Sequence, residues 1–212
     1  MPTSPQSRPI TLHAHEVRAI LAGRQTQLRR VVKLPKKETG EWHGVVLGGG
    51  SAVWSDGSPA PQMQCIANKG SGYCIACPFG GPGDLLWCRE TFGFGWASGE
   101  RSYSALIPTG SDPKKPDKVF YKADSWDESQ GKHCWRPSSQ MPRWASRLTL
   151  AIDEVRVERI MEMTPQDVVA SGFPFHSDRD AYSAMWDADN GKGAWQKNDF
   201  VWVLNFPIRT PA

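Results

Sequence analysis

Residues 147–160, RLTLAIDEVRVERI, carry the strongest strand signal in the chain and constrain its fold more than any other segment. Leu148, Leu150 and Ile152 alternate with other neighbours, and Val155 and Val157 continue the run, as a strand with one buried face requires. The run ends at a helix start. Thr164 can cap, Pro165 suits the first helical position, and Asp167 favours the positive end of the helix dipole. Gly172 keeps that helix short. No regular alternation of strand and helix follows, which disfavours a doubly wound parallel sheet. The pattern predicts an α+β fold, a small and mostly antiparallel sheet curled into a barrel with helices packed against it.

The remaining segments fit that frame. Residues 9–12 read as a short strand. Residues 15–22 read as a helix with Val17, Ile20 and Leu21 at helical spacing and Gly23 as its cap. Residues 25–32 read as extended. In LLWCRETF, Leu85, Trp87 and Arg89 face one way and Leu86, Cys88 and Glu90 the other. A strand is expected near 119–123, a second helix over 179–188 with Tyr182, Met185 and Trp186 on one stripe, and a closing strand over 200–206. Residues 85–92, 148–158 and 200–206 are expected as adjacent core strands of a five- or six-stranded barrel. Gly, Ser and Pro dominate elsewhere, so the chain reads as one domain, 1–212, with loop insertions near 34–82 and 93–140. Gly48, Gly49 and Gly50 lack the lysine and the strand–helix setting of a phosphate-cradling loop.

Charge is distributed unevenly. The net charge is +3, yet residues 1–37 hold eight Lys or Arg against one acid, Glu16. A basic end on a near-neutral body points to a polyanion partner, because clustered cations release counterions from phosphates, or else to a solvated basic edge. No apolar run approaches the ~18 residues of a membrane span, and MPTSPQSRPI has no apolar leader core. With five cysteines, an odd number, the expectation is a cytoplasmic protein with free thiols and no membrane contact.

Five blocks in order carry a family resemblance: VRAILAGRQTQLRRVV (17–32), CPFGGPGDLLWCRETF (77–92), WRPSSQMPRWASRLTL (135–150), VRVERIMEMTPQDVVASGF (155–173) and WDADNGKGAWQKNDFVWVLNF (186–206). Together they resemble the bacteriophage-associated proteins of the ASCH branch of the PUA-like superfamily, often labelled morphogenetic. The resemblance implies a β-barrel with flanking helices and a cleft that takes nucleotides or RNA. Some small members remove the acetyl group from N4-acetylcytidine, using a Lys and a Thr three residues apart after the first helix and a Glu on the later one. Those positions here are Gln25, Leu28 and Ser171, which supply no base, nucleophile or acid. Thr26 and Glu90 are the remaining candidates for a catalytic group. The resemblance therefore implies a nucleic-acid-binding protein, reading RNA, single-stranded DNA or a modified base, with a degenerate amidohydrolase-like site in the cytoplasm of a bacterial host. One alternative is an enzyme that acts on a modified nucleoside or on RNA with a rebuilt site. A second is a phage-encoded protein-interaction factor.

Several constellations bear on that choice. Arg24, Arg29 and Arg30 flank the implied cleft with Gln25 and Thr26, and either grip phosphate or pin the fold through acids such as Glu90. In MPRWASR, Arg143 and Arg147 bracket Trp144, an arrangement that suits base stacking as well as core packing. Arg89 and Glu90 end a half-buried strand, where the carboxylate can accept from a base amino group or pair with an arginine. Cys74 and Cys77 have the spacing of half a zinc site, with Cys65 as a third ligand and His43, His133 or Cys134 as a fourth. His13 and His15 fall on opposite faces if that stretch is extended. No cofactor is expected beyond that candidate zinc.

Overall fold

The computed structural model describes residues 5–36, 40–47, 63–71, 73–95, 118–124, 135–173 and 178–207. In chain order the elements are β1 (Ser7–Thr11), α1 (Ala14–Leu21), β2 (Gln27–Val31), β3 (Trp42–Leu47), β4 (Met63–Asn68), β5 (Cys74–Ala76), β6 (Leu85–Arg89) and β7 (Phe92–Gly95). Then come β8 (Lys118–Tyr121), β9 (Thr149–Ala151), β10 (Glu154–Arg159), α2 (Pro165–Ala170), α3 (Arg179–Asn190) and β11 (Phe200–Asn205). The fold is mixed α+β with several small sheets and few helices. Three sheets have the orders β1-β6-β9, β10-β11-β2 and β3-β4-β5, and β7 pairs with β8. Among the described residues no ladder closes into a barrel, so the single curled sheet is replaced by these separate pieces.

The long alternating run explains part of the difference. It is two strands, β9 and β10, broken at Ile152–Asp153. Ile152 N–H donates to Asp84 O at 2.9 Å on the side of the first sheet, and Asp153 N–H donates to Asn205 O at 2.9 Å on the side of the second. One sequence pattern thus serves two sheets. The expected neighbours are adjacent in that split form: β6 pairs β9 and β10 pairs β11, both antiparallel, while β1 joins β6 in parallel.

β11 is the centre of the molecule. Phe200, Trp202 and Leu204 face one apolar cluster with Leu28, Val155, Leu86, Leu150 and Ile10. Val201 and Val203 face a second cluster with Ile160, Val168, Tyr182, Trp186 and Trp195. Burial on both faces is why FVWVLNF has no polar alternation. The helix-facing side of this sheet also carries a polar patch: Gln27 and Arg29 of β2 lie opposite Asn205 and Val203, with Arg156 and Glu158 on β10 beyond.

The insertions hold more order than their composition predicts. Of the expected loop 34–82, β3, β4 and β5 form an antiparallel sheet, with Trp42 and Ile66 buried in the first cluster. Phe92–Gly95 pairs antiparallel with Lys118–Tyr121, the latter close to the strand expected near 119–123. Residues 37–39, 48–62, 72, 96–117 and 125–134 of these insertions, among them Gly48–Gly50, His133 and Cys134, lie outside the described residues. Helix starts follow the sequence closely. Thr164 Oγ1 accepts from Asp167 N–H at 3.2 Å, and Asp178 Oδ1 accepts from the N–H groups of Asp180 and Ala181, each at 3.0 Å. Among the described residues no helix is long and apolar enough to cross a membrane.

Candidate functional site

β2 leaves α1 through Gly23, whose φ of 66° a glycine adopts without strain. Strand periodicity then aims Gln25, Gln27 and Arg29 to one side, toward α2 and α3. Gln25 forms an isolated bridge with Ser171 at the end of α2. Gly172 makes that approach close: a Cβ there would lie 2.7 Å from Gln25 Cβ and 2.9 Å from Ala19 Cβ. A cavity of about 60 Å³ results, walled by Gln25, Gln27 and Arg29, by Ser171, by Tyr182 and Trp186, and by His13 and His15 at its rim.

The inner wall is fixed by hydrogen bonds. Gln25 Nε2 donates to Gln27 O at 2.9 Å, and Gln27 Nε2 donates to Asp167 Oδ1 at 2.8 Å and Asn205 Oδ1 at 3.1 Å. Arg29 Nε donates to Gln27 Oε1 at 2.9 Å, and its Nη1 binds Glu158. Asp167 also meets Arg156 and accepts from Thr164 N–H and Oγ1–H, at 3.0 and 2.7 Å. Burial alone would raise the Asp167 pKa, but Gln27, Thr164 and the charge of Arg29 outweigh it and hold the carboxyl well below its ordinary range. Burial pushes the Tyr182 phenol up to about 12, so it stays a neutral donor. Two buried atoms of this wall have no hydrogen-bond partner, Gln25 Oε1 and Arg29 Nη2. The latter sits 3.2 Å from Asp167 Oδ1, close enough for charge attraction but not directed as a hydrogen bond.

At the rim, His13 and His15 stack at 5.5 Å and 13°, and approach Asp189 at 3.7 and 3.4 Å. The condition for opposite faces is not met: His13 caps α1 and His15 lies within it, so the stretch is not extended and the two rings share a side. Beyond the rim a cleft of about 400 Å³ shares His15, Ser171 and Met185 with the cavity and is lined by Arg18, Arg24 and Phe173.

Of the positions the resemblance singles out, Gln25 and Ser171 meet at this cavity. Leu28 does not: it points through β2 into the first apolar cluster. Thr26 is absent from the cavity lining, and its N–H donates to Ala170 O. Arg29 lines the cavity but is only 4% exposed and neutralised internally. Arg30 binds both Glu16 oxygens, at 2.8 and 2.9 Å, and Arg24 reaches Gly172 O at 2.9 Å from an exposed position. Glu90 is buried and pairs with Arg147 at 2.8 and 3.0 Å, so the arginine on Glu90 is the distant one rather than an N-terminal one. Arg147 also meets Asp124 and lies 4.0 Å over the Tyr121 ring. Arg89 lies 5.7 Å over Trp87. Arg143 is exposed and reaches Ser7 Oγ, and Trp144 stands 39% exposed, stacked on Phe94 at 5.5 Å and 16°.

Cys65 and Cys74 lie on the paired strands β4 and β5, one buried and one exposed, and Cys77 is buried beyond β5. Among the described residues no group of three His, Cys, Asp or Glu could hold a metal ion, so the zinc triplet is not assembled there. Burial raises Cys65 to about 12 and Cys77 to about 11. His13, His15, Arg18, Gln27, Tyr182 and Asp189 line this cavity or the adjoining cleft, although the sequence reading assigned none of them to a binding site. For Gln27 the signal was present, since it alternates with Gln25 and Arg29 in an extended stretch. No family model, curated protein or solved structure matches the chain.

Proposed function

We propose that the chain binds nucleic acid through a PUA-like, ASCH-type cleft, taking one base of RNA or single-stranded DNA into the Gln25–Arg29 cavity. The carrying observation is a buried polar cavity, with Gln25 Oε1 left without a hydrogen-bond partner, that shares residues with a cleft flanked by exposed Arg18 and Arg24. A base offers donors and acceptors on one edge, and its phosphates stay outside. Arg29 and Arg30 are neutralised by Glu158, Asp167 and Glu16, so phosphate contact falls to Arg18 and Arg24. The Trp144–Phe94 stack beside exposed Arg143 is a second platform for a flanking base. The ASCH-type assignment draws on the five sequence blocks and on the meeting of Gln25 with Ser171.

Fluorescence anisotropy with short RNA and DNA oligonucleotides over a salt series tests this. Replacing Arg18 and Arg24 with Ala flattens the slope of log K against log salt by roughly 0.7 per lost contact. Trp144→Ala costs about 1–3 kcal/mol with little change in slope. Absence of binding at low salt transfers the chain to the protein-interaction reading.

An enzymatic reading has one specific support: His15 Nε2 lies 3.4 Å from Asp189 Oδ2 at the cavity rim, a pair that can take a proton from water. With Gln25, Leu28 and Ser171 at the family's working positions, the expected outcome with N4-acetylcytidine is no release of cytidine. Release that disappears in His15→Ala would establish the enzyme instead.

A further inference from the structure

We infer that the acid-free surface where β1 meets residues 138–144 is a second contact for single-stranded nucleic acid, with phosphates held by Arg89 and Arg143. This rests on the nucleic-acid reading above but not on the cavity, and it extends the Trp144 platform along β1.

Strand alternation places Arg89 on this surface. Leu86 and Cys88 of β6 point into the first apolar cluster, so Trp87 and Arg89 point the other way. Arg89 reaches both neighbours of its strand end: Nη1 donates to Ser139 O at 3.5 Å and Nη2 to Thr11 Oγ1 at 3.4 Å. Arg143 Nη2 donates to Ser7 Oγ at 3.0 Å. Ser7 and Thr11 are the two ends of β1, so about 13 Å of strand separates the two anchor points.

Both guanidiniums keep their charge uncompensated. Their hydrogen bonds go to neutral oxygens, and the two from Arg89 are longer than the usual range of about 2.7–3.2 Å. Arg89 Nε is buried without a hydrogen-bond partner. Among the described residues neither side chain pairs with a carboxylate, whereas Arg29, Arg30 and Arg147 all do. Neither β1 nor residues 135–149 contain an Asp or Glu, and Glu90, next to Arg89, is turned to Arg147. An anion is the complement of such a surface. A lone phosphate meets one of the two arginines, while successive phosphates of one strand meet both. Trp144 selects between polyanions. It is 39% exposed, follows Arg143 directly and stacks on Phe94 at 5.5 Å and 16°. A base gains from stacking on such a ring, and the carboxylates of an acidic peptide do not.

The test is fluorescence anisotropy of the full chain with a short single-stranded RNA over a salt series. Arg89→Gln with Arg143→Gln removes both charges and is expected to flatten the slope of log K against log salt by roughly 1.4, at about 0.7 per contact. Arg89→Lys with Arg143→Lys keeps the charges but not the planar fork that clamps β1, and is expected to keep the slope. A purely structural clamp makes the two pairs alike, so equal slopes for the Gln and Lys pairs overturn the inference. Thermal melts fix the folded fraction at which each slope is read. Arg143→Gln alone, at an exposed position, should flatten the slope by roughly 0.7 and keeps the test readable if the Arg89 variants do not fold. Poly-glutamate bound as tightly as the RNA, with the same loss in the Gln pair, overturns nucleic acid as the occupant in favour of an acidic protein. A flattened slope here beside an unchanged one in Arg18→Ala with Arg24→Ala leaves this surface standing and overturns the cleft. Absence of RNA binding at low salt overturns both.

Discussion

Asp167 joins the end of one secondary element to the working face of another. Its carboxylate receives Gln27, Arg156 and Thr164 and sits beside Arg29. Removing it leaves two arginines and a glutamine amide facing each other in a largely buried space. Asp167→Ala is therefore expected to cost about 3–5 kcal/mol in urea unfolding, the range for breaking a buried pair from one side. The pH dependence follows from the direction of its shift. A carboxyl held below its unfolded pKa contributes stability that is fully present above that value and is lost as pH falls through the folded one. Stability should thus drop on acidification below about pH 4, and Asp167→Asn should make that limb shallower. Part of this was legible in sequence. Gln25, Gln27 and Arg29 alternate in an extended stretch, and Thr164 and Asp167 announce a helix cap. What sequence hid is the pairing. Glu158 stands 129 positions from Arg29 and Asp167 stands 140 from Gln27, so an arginine that reads as a surface cation is in fact interior.

At the scale of elements, local signals succeeded where one short stretch decides the outcome and failed where distant pairing does. The starts of α2 and α3 follow from their capping residues. The 147–160 run reads as one strand because alternation is local, whereas the change of sheet at Ile152–Asp153 depends on Asp84 and Asn205. β3, β4 and β5 escaped because glycine- and proline-rich sequence surrounds them, and their order comes from cross-strand pairing and from burial of Trp42 and Ile66. The junction of α2 with β2 makes the most specific prediction. Gly172 has φ 70° and lies against Gln25, so Gly172→Ala should cost about 1–3 kcal/mol from the backbone alone and displace Gln25 from the cavity wall. Thr164→Ala, which loses only the cap and one bond to Asp167, should cost about 0.5–2 kcal/mol and leave Gln25 in place. Thermal melts combined with oligonucleotide binding separate the two: both variants lose stability, and only Gly172→Ala loses affinity beyond what its unfolded fraction explains.

For the molecule as a whole, β11 divides two apolar clusters, and the cavity opens at the edge of the second, where β2, α1, α2 and α3 converge. The central claim is that a base enters there while phosphates meet Arg18 and Arg24. Hydrogen–deuterium exchange of the full chain, with and without a short single-stranded RNA at low salt, tests it most directly. The account predicts slowed exchange in peptides covering 24–29 and 170–173, with a smaller effect around 143–146 and none in β3–β5. Slowed exchange confined to β3–β5, or no change at 24–29 and 170–173 with RNA bound, would contradict it.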